Sequence, residues 1–269
     1  MSVLDVPGAQ LYYETRGSGP LLLMIPGASG HGRVFAMVAD HLAGQYTVVT
    51  YDRRGFSRSR LDGPQNYDHR LATDTDDARR LIEHLGDEPA VVFGTSSGGI
   101  VALDVLTHHP SVVRTLIPYE PAAISELPYG QKWIDFFHSV YDLYRASGIP
   151  AALQEFRGRA FAEVDRRTMG SAADAKKDER AQANAVYWFE HELRQYPALK
   201  LDIDTLTTHA DRIMPAAGRE SRGYPCYEVT TRLGTKLGLE VIEMPGGHVG
   251  FAAHPAEFAD GLLRALARN

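Results

Sequence analysis

The chain has 269 residues, which is enough for one large α/β domain with an insertion or for two small domains. It carries 28 Lys and Arg against 34 Asp and Glu, and the net charge of −6 argues against nucleic acid or an anionic membrane as the main partner. Cys226 is the only cysteine, so the sequence holds no intrachain disulfide and suits a reducing compartment. Because it shows neither a signal-peptide pattern nor an apolar run of membrane-spanning length, we expect a cytoplasmic protein.

Strand-like and helix-like patterns alternate along most of the chain. The patterns predict strands over residues 10–15, 21–25, 46–51, 90–93, 112–117, 213–217 and 239–244, the first of them antiparallel. Helices are predicted over residues 34–42, 71–85, 100–106, 224–237 and 255–267. The polar loop 52–59 is expected to be a structural turn held by charge pairing. The alternation predicts an α/β fold with a doubly wound, mostly parallel sheet and functional sites at the carboxyl ends of its strands.

The pattern changes between residues 122 and 208. No strand-like run occurs there, and two or three helices are indicated. We therefore expect residues 1–121 and 209–269 to form the core, and residues 122–208 to form a helical cap inserted between two strands. An aromatic stripe at helical spacing begins this segment, and most of its members should pack against the core (Trp133, Phe136, Phe137, Val140, Tyr141 and Tyr144). Such a cap fits the enclosure of a bulky, largely apolar substrate.

A nucleophile elbow is predicted at Ser96. The buried strand 90–93 leads into Gly94-Thr95-Ser96-Ser97-Gly98, which fits G-x-S-x-G, and an apolar helical pattern follows at once. Such a turn holds the central serine in a strained conformation at the end of the strand, over the positive end of the helix. The alternative is a glycine-rich turn with incidental serines, but the strand and helix on either side favour the elbow. We therefore predict that Ser96 is a nucleophile.

A serine hydroxyl needs a base to remove its proton, and the sequence has 11 histidines. His248 lies in a glycine-rich loop directly after the last predicted strand, which puts it at the same edge of the sheet as Ser96. His254 precedes Pro255 and fits the start of a helix, whereas His31, in the first glycine-rich loop, is expected to be solvent-exposed. His248 is therefore the predicted base.

Attack by a serine on a carbonyl creates an oxyanion. Two backbone N–H groups commonly stabilise it, one from the residue after the nucleophile and one from the first glycine-rich loop. In this sequence these donors are predicted at Ser97 and Ala28.

In chain order these features resemble the α/β-hydrolase fold across essentially the whole chain, through Pro26-Gly27-Ala28, the loop 52–57, the elbow and His248. Within that fold, the chain most resembles the zearalenone-lactonase type, which opens a resorcylic macrolactone. Three stretches carry this second resemblance: the elbow with Glu120 after the next strand, Val186-Tyr187-Trp188 with Tyr196-Pro197, and residues 244–248 leading to 254–258. The resemblance implies that Trp188 is a cap residue in contact with substrate.

Three residues could supply the carboxylate that orients His248. Asp211 resembles the acid at the usual site on this fold. It would, however, have to end a strand over residues 201–210, which are too polar for a sheet interior. Glu220 lies in the loop after the next apolar run. Glu120 follows the strand next to the elbow, and its extra methylene helps it to span to the imidazole. With part of the weight coming from the resemblance, Glu120 is the predicted acid, and Asp211 and Glu220 remain open.

The leading functional hypothesis is a serine hydrolase that cleaves a carboxylic ester or lactone through an acyl-enzyme and needs neither a cofactor nor a metal ion. Its expected partner is a small-molecule ester or lactone, and the sequence leaves a homodimer open. Two alternatives use the same fold and triad: a hydrolase of C–C bonds in diketones, and a ligand-sensing receptor of the kind found among plant hormone receptors. Steady turnover of p-nitrophenyl acetate that Ser96→Ala abolishes would favour the enzyme over the receptor.

Overall fold

A nine-stranded sheet runs through the part of the chain that the structure describes. The computed structural model describes residues 2–170 and 178–268. The strands are β1 (Ser2–Val6), β2 (Ala9–Arg16), β3 (Leu21–Ile25), β4 (Thr47–Tyr51), β5 (Arg60–Leu61), β6 (Ala90–Thr95), β7 (Val113–Tyr119), β8 (Ala216–Gly218) and β9 (Ile242–Met244). Their spatial order is β1-β2-β4-β3-β6-β7-β8-β9, and β5 pairs with β2. The pairings of β2 with β1, β4 and β5 are antiparallel, and the others are parallel, so the predicted mostly parallel sheet is confirmed.

Helices cover both faces of this sheet. They are α1 (Ala36–Leu42), α2 (Arg70–Leu85), α3 (Ser97–His108), α4 (Gly130–Ser147), α5 (Ile149–Ala160), α6 (Glu163–Thr168), α7 (Glu179–His191), α8 (Ile203–Thr208), α9 (Pro225–Leu237), α10 (Gly250–Ala253) and α11 (Pro255–Leu266). Alternate residues of β3 enter two different apolar clusters, since successive strand side chains point to opposite faces. The first cluster includes side chains of α2, α3 and α9, and the second includes side chains of α1, α10 and α11. The central strands are therefore buried on both faces, as their continuous apolar runs predict.

The described residues between β7 and β8 form helices α4 to α8 and contain no strand. We call residues 122–208 the helical segment; its residues 171–177 lie outside the described part of the chain. The aromatic stripe lies on α4, where Phe136, Phe137 and Val140 are buried in the first apolar cluster and the remaining members pack against it. The stripe therefore packs as the sequence predicts.

Several predicted strand boundaries differ from the structure. β8 is shorter than the predicted run 213–217, and Ile213 makes only an isolated bridge with Leu116. Pro215 explains this difference, because it has no N–H to donate to a ladder. β7 extends beyond its predicted end to Tyr119. β1 and β5 were not predicted. The first four residues of β1 alternate between partly buried and exposed, and both residues of β5 are exposed.

Candidate active site

Ser96 lies in the sharp turn between β6 and α3. Its backbone has φ 55° and ψ −124°, a positive φ that residues other than glycine rarely adopt. A Cβ atom at Gly94 would lie 2.3 Å from the Gly98 carbonyl oxygen, and one at Gly98 would lie 2.4 Å from the Ile25 carbonyl oxygen. The close packing of β6, α3 and β3 therefore requires both glycines of the motif. The turn has the geometry that the sequence predicts for a nucleophile elbow.

His248 and Glu120 meet at the carboxyl edge of the sheet. His248 Nδ1 lies 2.6 Å from Glu120 Oε2, and the two residues are 5% and 1% exposed. Glu120 follows β7 directly and has a positive φ of 44°. Its other carboxylate oxygen accepts a hydrogen bond from the Gly218 N–H at 2.9 Å, and its own N–H donates to the Ala216 carbonyl at 3.0 Å. Glu120 is therefore anchored to β8 through one carboxylate oxygen and its own N–H, while its second carboxylate oxygen faces the imidazole.

The two rival acids lie elsewhere. Asp211 is exposed in a short 3₁₀ helix, Ala210–Arg212, that precedes β8. Glu220 is exposed in a second short 3₁₀ helix, Arg219–Ser221, after β8. Of the three candidates, Glu120 is the one that the structure brings into contact with His248.

A cavity of about 490 Å³ opens between the sheet edge and the helical segment. Ser96 and His248 line it from the core, together with Gly27 and Ala28 of the loop after β3. Apolar side chains of α5, α7 and the turn after α5 line it from the helical segment (Leu153, Phe156, Phe161 and Trp188). A ligand in this cavity would therefore contact the serine and histidine while most of its surface met apolar groups.

The predicted oxyanion donors flank Ser96. A Cβ atom at Gly27 would lie 2.8 Å from the Cβ of Ser96, so the loop before Ala28 packs directly on the serine. Ser97 is the first residue of α3, where an N–H has no acceptor within its own helix. An adjoining cavity of about 40 Å³ is lined by Ser97 as well as by Ala28 and Ser96. Both backbone positions therefore lie beside the serine.

Trp188 and His31 also line the larger cavity. Trp188 is 6% exposed, and its ring lies 5.0 Å from that of Phe156, centroid to centroid. The sequence predicted a solvent-exposed His31, but this expectation was wrong, because His31 is partly buried and contributes to the cavity wall. Burial lowers the pKa of His31, which disfavours its charged form inside the cavity.

The chain matches a known protein family over most of its length. The model of the alpha/beta hydrolase family matches residues 22–261. The chain belongs to this family. It is 35% identical over 263 residues to the uncharacterized hydrolase YraK of Bacillus subtilis, across 96% of this chain and 93% of YraK. It is 27% identical over 271 residues to a zearalenone hydrolase of Cladophialophora bantiana, across 96% of this chain and 93% of that protein.

A solved structure supports the same fold for this α/β hydrolase. The thermophilic esterase of Thermogutta terrifontis, with malate bound, superposes with a TM-score of 0.75 at 18% identity. The match covers 100% of this chain and 99% of the esterase. At that identity the likeness shows the fold alone.

A residue that sequence reasoning missed is Asp165 of α6. It is 1% exposed, and its Oδ1 accepts a hydrogen bond from the Val249 N–H at 3.0 Å. A Cβ atom at Gly247 would lie 2.4 Å from Asp165 Oδ2, so the carboxylate packs on the loop that carries His248. Burial raises the pKa of Asp165, although His248 and the Val249 N–H act in the opposite direction. Nothing in the polar sequence around this residue signals such a contact.

Two features are absent from the described residues of this hydrolase. No group of three or more His, Cys, Asp or Glu side chains in residues 2–170 and 178–268 is arranged to hold a metal ion. Within the same ranges, no helix has the length and apolar character needed to cross a membrane.

Proposed function

We propose that this α/β hydrolase is a serine hydrolase that cleaves a carboxylic ester or lactone through an acyl-enzyme, without a cofactor or metal ion. The observation that carries the proposal is the contact between the buried Glu120 carboxylate and His248, which lines the same cavity as the strained Ser96. A nucleophile, a base and a group that orients the base are the three parts that this chemistry requires.

In the proposed reaction, Ser96 Oγ attacks the carbonyl carbon of the ester as His248 Nε2 takes its proton. Glu120 accepts a hydrogen bond from His248 Nδ1–H, which fixes the tautomer and stabilises the imidazolium. The Ala28 and Ser97 N–H groups bind the oxyanion, and each such donor stabilises the transition state by about 3 kcal/mol. The imidazolium then protonates the leaving alcohol, and water, activated by the same histidine, releases the acid from Ser96.

We propose further that the helical segment acts as a cap over a bulky, largely apolar substrate, with a resorcylic macrolactone as the leading class. The aromatic wall formed by Phe156, Phe161 and Trp188 supports this, as does a cavity of about 490 Å³, the size of typical small-molecule sites. The 27% identity to a zearalenone hydrolase is consistent with the same class.

The test measures turnover of p-nitrophenyl acetate and of a panel of macrolactones by the wild type, Ser96→Ala and Ser29→Ala. Ser29 is the matched control, because it is the other serine among the described residues that line the cavity. Ser96→Ala should lose several orders of magnitude in kcat, whereas Ser29→Ala should retain most of it. Full activity of Ser96→Ala would refute the serine mechanism. Saturable binding without turnover would favour a receptor, and cleavage of diketones alone would favour a C–C hydrolase.

A further inference from the structure

A buried arginine contacts the loop that carries the first predicted oxyanion donor. Arg53 follows β4, is 0% exposed and belongs to the loop expected to be held by charge pairing. Its Nη1 donates to Asp74 Oδ2 at 3.0 Å, and its Nη2 lies 2.8 Å from both carboxylate oxygens of Glu192. The same Nη2 lies 2.9 Å from the carbonyl oxygen of Gly27. Arg53 therefore joins α2 and the helical segment to the loop after β3.

The guanidinium keeps its charge in this buried site. Burial by itself lowers the pKa of Arg53, but Glu192 and Asp74 more than compensate, and the net shift is upward. A permanent cation therefore lies against the Gly27 carbonyl.

The contact with Gly27 determines the orientation of one peptide plane. The Gly27 carbonyl and the Ala28 N–H belong to the same planar trans peptide unit, so they point in opposite directions. The carbonyl oxygen is held by Arg53 Nη2 at 2.9 Å and by the Gly30 N–H at 2.9 Å. The Ala28 N–H is consequently directed away from Arg53, and Ala28 lines the same cavity as Ser96.

The second predicted donor lies beside the same guanidinium. Arg53 Nη2 is 3.5 Å from the hydroxyl oxygen of Ser97. The same cation thus contacts the Gly27–Ala28 peptide unit and the side chain of Ser97. Charge pairing of the loop with Asp74 and Glu192 alone would not require these two contacts.

We propose that Arg53 is a positioning residue for the oxyanion hole, holding the Gly27–Ala28 peptide so that the Ala28 N–H points at the carbonyl oxygen of the substrate. This inference rests on the proposed serine mechanism. A cation on the carbonyl end also polarises the peptide, which strengthens the hydrogen bond that its N–H donates. Because oxyanion donors act mainly on the transition state, the loss of Arg53 should lower kcat and leave KM almost unchanged.

The test compares Arg53→Lys with Arg54→Lys. Lysine keeps the positive charge but lacks the planar fork that lets one arginine reach several acceptors at once. Arg54 is the matched control, because it is the next residue, is 4% exposed and pairs with Asp77 at 2.7 and 2.9 Å. None of the hydrogen bonds described for Arg54 reaches Gly27.

Each variant is assayed for kcat and KM on p-nitrophenyl acetate, for Tm, and for inhibition by a trifluoromethyl ketone. Such a ketone adds to a serine and forms a tetrahedral oxyanion. Arg53→Lys should lower kcat by roughly 10- to 100-fold and weaken the ketone by a similar factor, with KM changed less than about twofold. Arg54→Lys should lower Tm while keeping kcat within about twofold of the wild type.

Equal kcat values in the two variants would overturn the proposal. A raised KM with unchanged kcat in Arg53→Lys would also overturn it, because Arg53 would then shape the substrate pocket and not the oxyanion hole. If Arg53→Lys does not fold, Arg53→Met combined with Glu192→Leu replaces it, because apolar side chains of similar size often substitute for a buried ion pair without loss of stability. The same expectation for kcat applies to that double variant.

The Ser96→Ala variant separates the two proposals. Full activity of Ser96→Ala would refute the serine mechanism itself. An inactive Ser96→Ala together with wild-type kcat in the folded Arg53 variants would refute only the positioning role.

Discussion

Glu120→Gln tests the proposed triad with almost no change of shape. In the wild type, one carboxylate oxygen accepts from the Gly218 N–H at 2.9 Å and the other faces His248 Nδ1 at 2.6 Å. Glutamine supplies one acceptor and one NH₂ group in place of these two acceptors. Either arrangement of the amide therefore leaves one of the two contacts wrong.

The two arrangements of the amide disturb the site in different ways. If the amide oxygen faces Gly218, the NH₂ group favours the tautomer whose proton is on Nε2, and that tautomer cannot accept a proton from Ser96. If the oxygen faces His248, two buried donors oppose each other at Gly218, at about 1–3 kcal/mol. Both arrangements also lose the negative charge beside the imidazolium. Since replacing a triad acid by its amide, which leaves the histidine in the wrong tautomer, lowers kcat by about 10⁴, or about 5.5 kcal/mol, we expect a loss of roughly 10³ to 10⁴.

The assay is steady-state turnover of p-nitrophenyl acetate, with Tm and circular dichroism as controls for folding. Glu120→Asp keeps the charge but is one methylene shorter, so it should lose roughly 10- to 100-fold because it cannot reach both partners. The exposed Asp211 and Glu220 supply the matched neutral substitutions, and Asp211→Asn and Glu220→Gln should stay near wild type. A folded Glu120→Gln variant within tenfold of wild-type kcat would refute the reasoning, and an inactive Asp211→Asn would identify a different acid.

Three further outcomes are expected. A fluorophosphonate should label Ser96 and not Ser97, and His248→Ala should abolish the labelling; modification of Ser97 would contradict the elbow geometry. Trp188→Ala should impair turnover of a bulky lactone far more than that of an acetate ester, whereas equal losses with a lower Tm would reduce Trp188 to a packing role. Burial raises the pKa of Asp165 in the folded state above its unfolded value. Ionisation of Asp165 therefore lowers the free energy of unfolding as the pH rises through the folded pKa, and this loss of stability is absent below the unfolded pKa. The Tm of Asp165→Asn relative to wild type should therefore increase from about pH 4 to about pH 7, and a constant difference would show that the carboxylate is not perturbed.

Features that depend on local spacing could be predicted from the sequence. Glycines two residues either side of Ser96, with a buried strand before and an apolar helix after, are enough to predict the turn, because strand, turn and helix are contiguous in the chain. The same holds for His248, since a glycine-rich loop after an apolar strand places it at the carboxyl edge of a parallel sheet. The aromatic stripe of α4 was also predictable, because a 3.6-residue period gives one apolar face.

Features that join distant parts of the chain emerge from the three-dimensional fold. The sequence favoured Glu120 as the acid for His248 but left Asp211 and Glu220 open. The contact between Glu120 and His248 depends on the extra length of β7 and on a positive φ that no local pattern reveals. Asp165 and Arg53 gave no sequence signal of their packing against the loops that carry His248 and Ala28, because their partners lie tens of residues away. Such contacts follow from how helices dock on the sheet, and that docking is fixed by the packing of the whole core rather than by any one segment.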